Sequence, residues 1–321
     1  MPISNYPNGF MNGLTIRGMP ITISYPGKVF FVNNSSVLAP GGVGGSDGNQ
    51  GTYLRPFSTL AYAVSQCLAG RGDIIMLMPG HAETLSSATA LPLNIADVLI
   101  VGLGQGDKRP TFTLDTATTA TIAVSAANIS ISNCVFKANY AAIVACFTVS
   151  TAKHFVLSDC EFRDNSSILN FKFIVNVGTT SNAADGLCIE HSNRFGAGAT
   201  SGTAFINMAG TNDRLVIKDC YVAHAAVTDA GLMPIAAGKV VTNVIIDNNI
   251  LNFVGDAAAT TGTIITTNGS TNSGMICRNL IQSLDGTTEI LVTASSGFVF
   301  SQNYSSAVAD KSGYLLPAAD A

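Results

Sequence analysis

The chain has 321 residues with a formal net charge of −4, and charged residues make up 11% of it against 47% hydrophobic residues. It has no basic run of the kind that binds nucleic acid, and its apolar residues never reach the roughly 18 in a row that a membrane span needs. No interior segment is typical of a linker, so we predict one elongated, soluble domain. The start, MPISNYPNGF, lacks the charged and apolar regions of a signal peptide, so no export by that route is expected.

Residues 1–50 predict an N-terminal arm. They contain five prolines and a glycine-rich run at 41–45, interrupted by two short strand candidates at 14–17 and 29–32. Such a segment lacks the apolar area to fold by itself. We therefore expect the arm to lie against its own domain or another subunit and to serve as an attachment segment.

Residues 51–72 predict a short helix that closes the end of a coil. Phe57, Leu60 and Val64 have the spacing of a one-faced amphipathic helix and would cover the apolar end of the coil. Two glycines then lead into an apolar segment at 73–78, which a Pro-Gly pair ends.

A repeated pattern follows the helix. Residues 129–134, 155–160 and 215–220 match one another closely, and four other segments fit the same frame. We call the last residue of each segment its anchor, and successive anchors lie 24 to 32 residues apart. The seven anchors are Cys134, Cys160, Ser192, Cys220, Asn249, Asn279 and Asn303.

The repeat predicts an all-β fold, a right-handed single-stranded parallel β-helix over residues 73–305 with a C-terminal tail at 306–321. The residues three and five before each anchor are mostly apolar, so alternate side chains face one interior. A second strand lies midway between anchors, and two or three strands make one turn of the coil, called a rung. Anchors of successive rungs would stack, with the asparagines hydrogen-bonded along their column. A β-sandwich gives no reason for this period, and a doubly wound α/β fold would need more helices.

The stretch before and into the first rung resembles a known superfamily. The sequences GSDGNQGTYLRPFSTLAYA at 45–63 and GDIIMLMPGHAE at 72–83 are similar to the N-terminal cap and first rung of pectate-lyase-like β-helix proteins. The whole chain, with YPNGFMNGLTIRG near its start and GYLLPAADA at its end, further resembles capsid-associated virion proteins of tailed bacteriophages. That resemblance implies a cement or decoration protein on the capsid surface, made in the host cytoplasm, with the major capsid protein as partner and a homotrimer as the assembly.

Carboxylates are few and dispersed for an enzyme of this fold. Polysaccharide lyases need acidic residues that hold Ca²⁺ and a basic residue that abstracts a proton, and glycoside hydrolases need two facing carboxylates. Asp159 or Glu161, Glu190 and Asp219 lie on neighbouring rungs, but both aspartates directly precede anchors, where a turn role is favoured.

The other polar candidates are weak too. Asp47 and Asn49 fit a turn better than a calcium site. His81, His154, His191 and His224 occupy different registers, and the seven cysteines are predicted to be buried thiols. We therefore predict no catalytic residue, no metal site and no cofactor.

Three functions stay open. The first is a non-enzymatic capsid cement or decoration protein, probed by deletion of residues 2–45, which should leave the β-helix folded and abolish attachment. The second is a phage tailspike or fibre that binds or cleaves host glycans. The third is a polysaccharide lyase. The absence of tryptophan and an aromatic content of 7% disfavour the second, since rings usually line carbohydrate grooves.

Overall fold

The computed structural model describes residues 27–36, 38–197, 202–223, 231–253, 271–283 and 297–305, together with four short strands at 15–16, 19–20, 265–266 and 313–315. It forms an all-β parallel β-helix, as predicted, with three sheets that run along the coil. Two helical segments interrupt the described strands, an α-helix at Leu60–Ser65 and a 3-10 turn at Gly106–Lys108. Within the described residues, no helix is long and apolar enough to cross a membrane.

Sheet A contains the repeated pattern found in the sequence. All its neighbouring strands are parallel, as expected when each rung adds one strand to the sheet. Its ten strands are Val29–Val32, Asp73–Leu77, Val98–Gly102, Ser130–Ser132, Val156–Ser158, Cys188–Glu190, Val216–Lys218, Val244–Asp247, Ser273–Cys277 and Gly297–Ser301.

Sheet B follows sheet A within each rung; in the six rungs from Ser130–Ser132 to Leu280–Ser283 the two strands are joined by a bend of two residues, the second of which is the anchor. Its last strand pairs antiparallel with the one before it, while the others are parallel. Its ten strands are Ala82–Leu85, Thr111–Leu114, Val135–Ala138, Glu161–Asp164, Asn193–Phe195, Tyr221–Ala223, Ile250–Phe253, Leu280–Ser283, Asn303–Ser305 and Gly313–Leu315.

Sheet C is shorter and contains three of the four midway strands that the sequence predicted; the fourth, predicted at 262–267, is described only at Ile265–Thr266, in a smaller sheet. Its five parallel strands are Leu91–Leu93, Ile122–Val124, Ile143–Val149, Phe171–Val177 and Ile206–Met208. Three small two-stranded sheets complete the described strands: Asn212–Asp213 with Val241–Thr242, Met233–Pro234 with Ile265–Thr266, and Thr15–Ile16 with Met19–Pro20.

The interior is built from columns of like side chains, because each rung repeats the alternation of the previous one. In sheet B, the rings of Phe112, Phe136 and Phe162 stack in register, with centroid distances of 5.6 Å and 5.5 Å. The parallel register also aligns buried aliphatic residues of sheet A. That column runs through Ile75, Ile100, Ile131, Leu157, Ile189, Ile217, Ile246 and Ile276.

The predicted asparagine column is confirmed. The Asn279 Oδ1 accepts hydrogen bonds of 3.0 Å from both the backbone amide and the Nδ2 of Asn249. One rung further, the Asn303 Oδ1 accepts in the same way from Asn279, at 3.1 Å and 2.9 Å. Each Nδ2 also donates to a carbonyl of the previous rung. The column therefore satisfies buried amides that would otherwise lack partners.

The predicted helix is shorter than the range 51–72 and begins after Thr59, whose hydroxyl accepts a hydrogen bond of 3.2 Å from the Tyr62 amide. Phe57, Leu60 and Val64 are all buried, with exposed fractions of 2–3%. They join the core cluster at its N-terminal end, as expected for a helix that covers the first rungs.

The parallel sheet begins earlier than residue 73. Val29–Val32, assigned to the arm, pairs in parallel with Asp73–Leu77 and forms the first strand of sheet A. The Asn33 amide also donates to the Phe57 carbonyl at 2.8 Å. Deletion of residues 2–45 would therefore remove a strand of the fold, so the expectation that it leaves the β-helix intact is wrong. The remaining boundaries stay predictions, and most of the tail at 306–321 lies outside the described residues.

Candidate functional site

The bend from sheet A to sheet B carries the carboxylates singled out in the sequence. The residue before each anchor has a positive φ, between 48° and 56°, in the left-handed region where Asn and Asp are the favoured non-glycine residues. The turn role predicted for Asp159 and Asp219 is thereby confirmed. We call this column the A–B ridge; it consists of Asn133, Asp159, His191, Asp219, Asn248, Arg278 and Gln302.

Glu161 lies beside the ridge at the start of a sheet B strand and is buried. Its Oε2 lies 3.1 Å from the Arg109 Nη1, and its Oε1 accepts from the Arg163 Nε. This hydrogen bond raises the pKa of Arg163. Arg109 also donates to the carbonyls of Cys134 and Asp159, so one guanidinium joins three rungs. Glu161 is thus neutralised on both oxygens.

Glu190 lies on the outward face of sheet A, next to Lys218 of the following rung, with 2.8 Å between Oε2 and Nζ. The hydrogen bond to Glu190, reinforced by its charge, raises the pKa of Lys218. A lysine that acts as a general base needs the opposite shift, toward a neutral amine near physiological pH. The pair is therefore suited to holding charge and unsuited to abstracting a proton.

Asp219 and the neighbouring Asp247 are paired in the same manner. The Asp219 Oδ1 accepts from the Asn248 Nδ2 at 2.6 Å, and its Oδ2 lies 3.6 Å from the His191 Nε2. The Arg278 Nε donates to the Asp247 Oδ1 at 2.8 Å, and the hydrogen bond to Arg278 holds the pKa of Asp247 below its usual value.

The four candidate carboxylates thus lie on neighbouring rungs, as the sequence predicted: Asp159 and Asp219 belong to the ridge, and Glu161 and Glu190 lie beside it. Three of them make their charge-stabilising contacts with Arg, Lys, His or Asn side chains of other rungs. A carboxylate that accepts hydrogen bonds from a cation on the next rung ties the two rungs together. The chemistry of the ridge is therefore mutual neutralisation.

Asp47 closes the loop that leads into the helix. Its Oδ1 accepts from the backbone amides of Ser58 and Thr59 at 2.9 Å and 3.0 Å, and its Oδ2 accepts from the Thr59 hydroxyl at 2.9 Å. Burial disfavours its ionised form, but these hydrogen bonds outweigh burial and lower the pKa of Asp47. Asn49 donates to the Gly44 and Pro56 carbonyls. Both side chains therefore have the predicted role in a turn.

His81 is fully buried, and its contacts are structural. Its Nδ1 accepts from the Asn34 amide at 3.1 Å, and its Nε2 lies 2.7 Å from the Glu83 Oε1. The same Glu83 oxygen accepts from the Leu60 amide at 2.6 Å, which fixes the start of the helix to the first strand of sheet B. Of the other histidines, His154 and His191 occupy separate bends, and His224 lies outside the described residues.

Over the residues that the structure describes, no group of three or more His, Cys, Asp or Glu side chains is placed to hold a metal ion. Six of the seven cysteines are buried and Cys188 is half-buried; all are free thiols, as predicted. Burial raises the pKa of Cys160 and of Cys220 to about 12. Thiols with such pKa values stay protonated and are poor nucleophiles.

One polar pair, the buried Arg194 and the nearby Asp164, was not anticipated from the sequence. Arg194 replaces the ring in the interior column of Phe136 and Phe162 and is 1% exposed. Its Nη1 and Nη2 donate to the carbonyls of Ala204 and Phe171, both at 2.7 Å. Burial lowers the pKa of Arg194, while the charge of Asp164 opposes that shift. A cation at an inward position was the signal available in the sequence, since such positions are otherwise apolar.

Comparison with known proteins adds to the fold. No protein-family model matches the sequence, and no curated protein matches it either. Among solved structures, a rhamnogalacturonan lyase is similar, with a TM-score of 0.57 and 15% sequence identity over 87% of this chain and 74% of that chain. At this identity, the likeness supports the parallel β-helix and does not extend to the reaction.

Proposed function

We propose that the protein is a non-enzymatic structural component, a cement or decoration protein on the capsid surface of a tailed bacteriophage. The observation that carries the non-enzymatic role is the pairing of carboxylates on and beside the A–B ridge: Glu161 and Glu190 each contact a cation of another rung, and Asp219 accepts a hydrogen bond from Asn248 of the next rung. A catalytic acid or base needs a pKa that is shifted toward the working pH. A carboxylate paired with a cation is instead held in its ionised form.

The rest of the chain fits a static role. Parallel backbone hydrogen bonds and the buried asparagine column join successive rungs into a stiff rod. A rod that binds neighbouring shell subunits stabilises the assembled shell over the free subunits. In this proposal the partners are the major capsid protein, reached through the N-terminal arm, and further copies of the chain in a homotrimer. Nucleic acid, membrane and cofactor take no part.

Attachment is tested with capsids assembled from the major capsid protein encoded in the same phage genome. We expect the purified full-length protein to bind these particles and to raise the temperature at which they open. A variant lacking residues 2–26 keeps the first strand of sheet A, so it should fold and fail to bind. Far-UV circular dichroism checks that it is folded. Absence of the full-length protein from the particles would contradict the capsid role, and full binding of the truncated variant would contradict the role of the arm.

Polysaccharide cleavage is the second candidate, and the observation in its favour is the fold likeness to a rhamnogalacturonan lyase. It is tested by incubation with rhamnogalacturonan and host-surface polysaccharides, with and without Ca²⁺, and measurement of unsaturated products and reducing ends. We expect no product. Reproducible depolymerisation would overturn the non-enzymatic proposal. Binding to a host glycan without cleavage would favour a tailspike or fibre instead.

A further inference from the structure

Sheet A carries an uncharged stripe along its outward face. Parallel register places one outward side chain from each of its ten strands in a single column. We call this column the A stripe. Nine of its members are aliphatic, thioether or thiol side chains, and the tenth is a serine. The A stripe consists of Val29, Ile74, Leu99, Ser130, Val156, Cys188, Val216, Ile245, Met275 and Val299.

The stripe is accessible over its length. Val29 at the first strand is 46% exposed, Met275 is 41% exposed, and Val299 at the last strand is 64% exposed. The members between them are half-buried or exposed, whereas the residues that alternate with them point into the core. An outward position on a strand next to solvent normally carries a polar side chain. Here apolar residues recur at it on almost every rung.

A neighbouring column of the same face shows that sheet A accepts charge. In register beside the stripe lie Glu190, Lys218 and Asp247 on three consecutive rungs. The absence of charge from all ten stripe positions is therefore specific to that column and is not imposed by the sheet.

We propose that the A stripe is the surface by which copies of this chain associate, side by side, parallel and in register. Two copies have the same strand spacing, so each side chain of one stripe lies opposite the equivalent side chain of the other along the whole length. In a parallel arrangement, identical side chains meet at the same height, and a charged residue would face its own sign. A column free of charge meets that requirement.

The size of the surface supports a specific contact. Nine steps of about 4.8 Å make a stripe about 43 Å long. The outward columns on either side lie about 7 Å away along the strands, so the stripe itself covers on the order of 300 Å² per copy. That is within the range of the largest apolar patches of monomeric proteins, which are often functional, and the flanking columns would have to supply the rest of the roughly 800 Å² that each partner buries in a stable interface.

The inference deepens the proposed homotrimer and rests on the proposed function for the number of copies. Parallel alignment puts the N-terminal arms of all copies at one end of the assembly, where each can reach the same shell. The contact itself needs only the stripe, so it is tested without capsids.

The first test compares two isoleucines of the same rung. Ile245 in the A stripe is 37% exposed, and Ile250 on the outward face of sheet B is 43% exposed. We expect the purified full-length protein to be oligomeric by sedimentation velocity, the variant Ile245→Glu to sediment as a monomer, and Ile250→Glu to keep the mass of the unmodified protein. Both variants should keep the far-UV circular dichroism spectrum. A monomeric unmodified protein, or loss of the oligomer only in Ile250→Glu, would overturn the proposal.

A second test measures the contact by cross-linking, which does not depend on a destabilising change. Cys188 is the one cysteine that is not buried, and it lies within the stripe. Oxidation with Cu(II)-phenanthroline takes two electrons and two protons from a pair of thiols and joins them as a disulfide. We expect covalent dimers in the native protein and none in Cys188→Ser. In a trimer, only two of the three copies can be joined, because each offers one thiol.

The direction of the copies is tested at the end of the stripe. In a Cys188→Ser background, Val299→Cys should form disulfide-linked dimers if the copies are parallel, since both added thiols lie at the same end. Oligomers that contain no such dimers would contradict the parallel arrangement. Oligomers that assemble through the stripe but do not bind capsids would support this inference and contradict the proposed function. A monomer that binds capsids would support the proposed function and contradict this inference.

Discussion

Truncation of Asn279 to alanine tests whether the asparagine column stabilises the fold. This side chain is fully buried and takes part in four hydrogen bonds. It accepts from the amide and the Nδ2 of Asn249, and it donates to the Ile246 carbonyl and to the Asn303 Oδ1.

The magnitude follows from the groups left without partners. In Asn279→Ala, the Asn249 amide, one Asn249 Nδ2 hydrogen and the Ile246 carbonyl each lose a bond in the buried column. The Asn303 oxygen keeps the bond from the backbone amide of residue 279. At about 1–1.5 kcal/mol for each of the three groups, the free energy of unfolding should fall by about 4 kcal/mol. For a chain of this size, that corresponds to a drop in Tm on the order of 8 °C.

Differential scanning calorimetry measures the effect, with two further variants for comparison. Asn279→Ser should lose less, because the Ser192 hydroxyl at an equivalent anchor accepts from the Cys160 amide at 3.1 Å. Asn207→Ala is the control, since Asn207 is only half-buried and its side chain donates to the Asn176 Oδ1 at 2.8 Å. We expect the control to cost less than about 1 kcal/mol. A Tm loss in Asn279→Ala no larger than in the control would refute the reasoning.

Two further predictions concern the N-terminal end. Leu60→Glu places a charge where the helix covers the core, so it should lower the free energy of unfolding by about 2–5 kcal/mol and promote aggregation through the exposed strand edge, both measurable by urea titration and light scattering. An unchanged urea midpoint would show that the helix is dispensable. Burial opposes ionisation of Asp73, but hydrogen bonds from Arg71 and from two backbone amides outweigh it and hold the pKa of Asp73 below 3.8. The ionised Asp73 therefore contributes to stability above pH 3.8, and this contribution is lost as the pH falls toward the folded-state pKa. The variant Asp73→Asn should be less stable at neutral pH, and its Tm should fall less steeply as the pH is lowered, in the acid limb of a plot of Tm against pH. Equal acid limbs would contradict that assignment.

The fold was predictable because its information is local and repeated. Alternation places residues inside or outside each strand, and the recurrence of anchors aligns one rung with the next. These two signals predicted the strands of sheet A from Val98–Gly102 onward, the last three strands of sheet C, and the stacking of Asn249, Asn279 and Asn303. Both signals can be read from short segments and their spacing, without knowledge of contacts between distant, non-repeating parts of the chain.

The sequence did not predict sheet B as a separate sheet, for a geometric reason. Only Asp159 and Cys160 separate the strand that ends at Ser158 from the one that begins at Glu161. A left-handed residue turns the chain there without glycine or proline, which are the usual sequence signals of a turn. Val29–Val32 was predicted as a strand, but its place in sheet A was missed because some 40 residues of non-repeating loop and helix lie between it and its partner.

The sequence did not predict the partners of the carboxylates on and beside the ridge, for a third reason. Arg109 contacts Glu161 across 52 positions, from a 3-10 turn that does not belong to the repeated pattern. Which cation neutralises which carboxylate depends on the path of each bend, and a single sequence does not encode that path in a periodic way. The turn role of Asp159 and Asp219, by contrast, followed from their place before the anchors.

The A–B ridge and the A stripe differ in what the fold requires of the residues at each position. At the ridge, the fold requires a backbone conformation, and Asn, Asp, His, Arg and Gln side chains all meet it, so the charges there vary and pair with one another. At the stripe, the fold requires only an outward side chain in a strand, and a polar residue would serve as well. The strand preference of β-branched residues accounts for Val and Ile at these positions, but the absence of charge on every rung is what the proposed contact between copies would explain. Under that proposal, the uncharged stripe, more than the charged ridge, is the surface through which this β-helix acts.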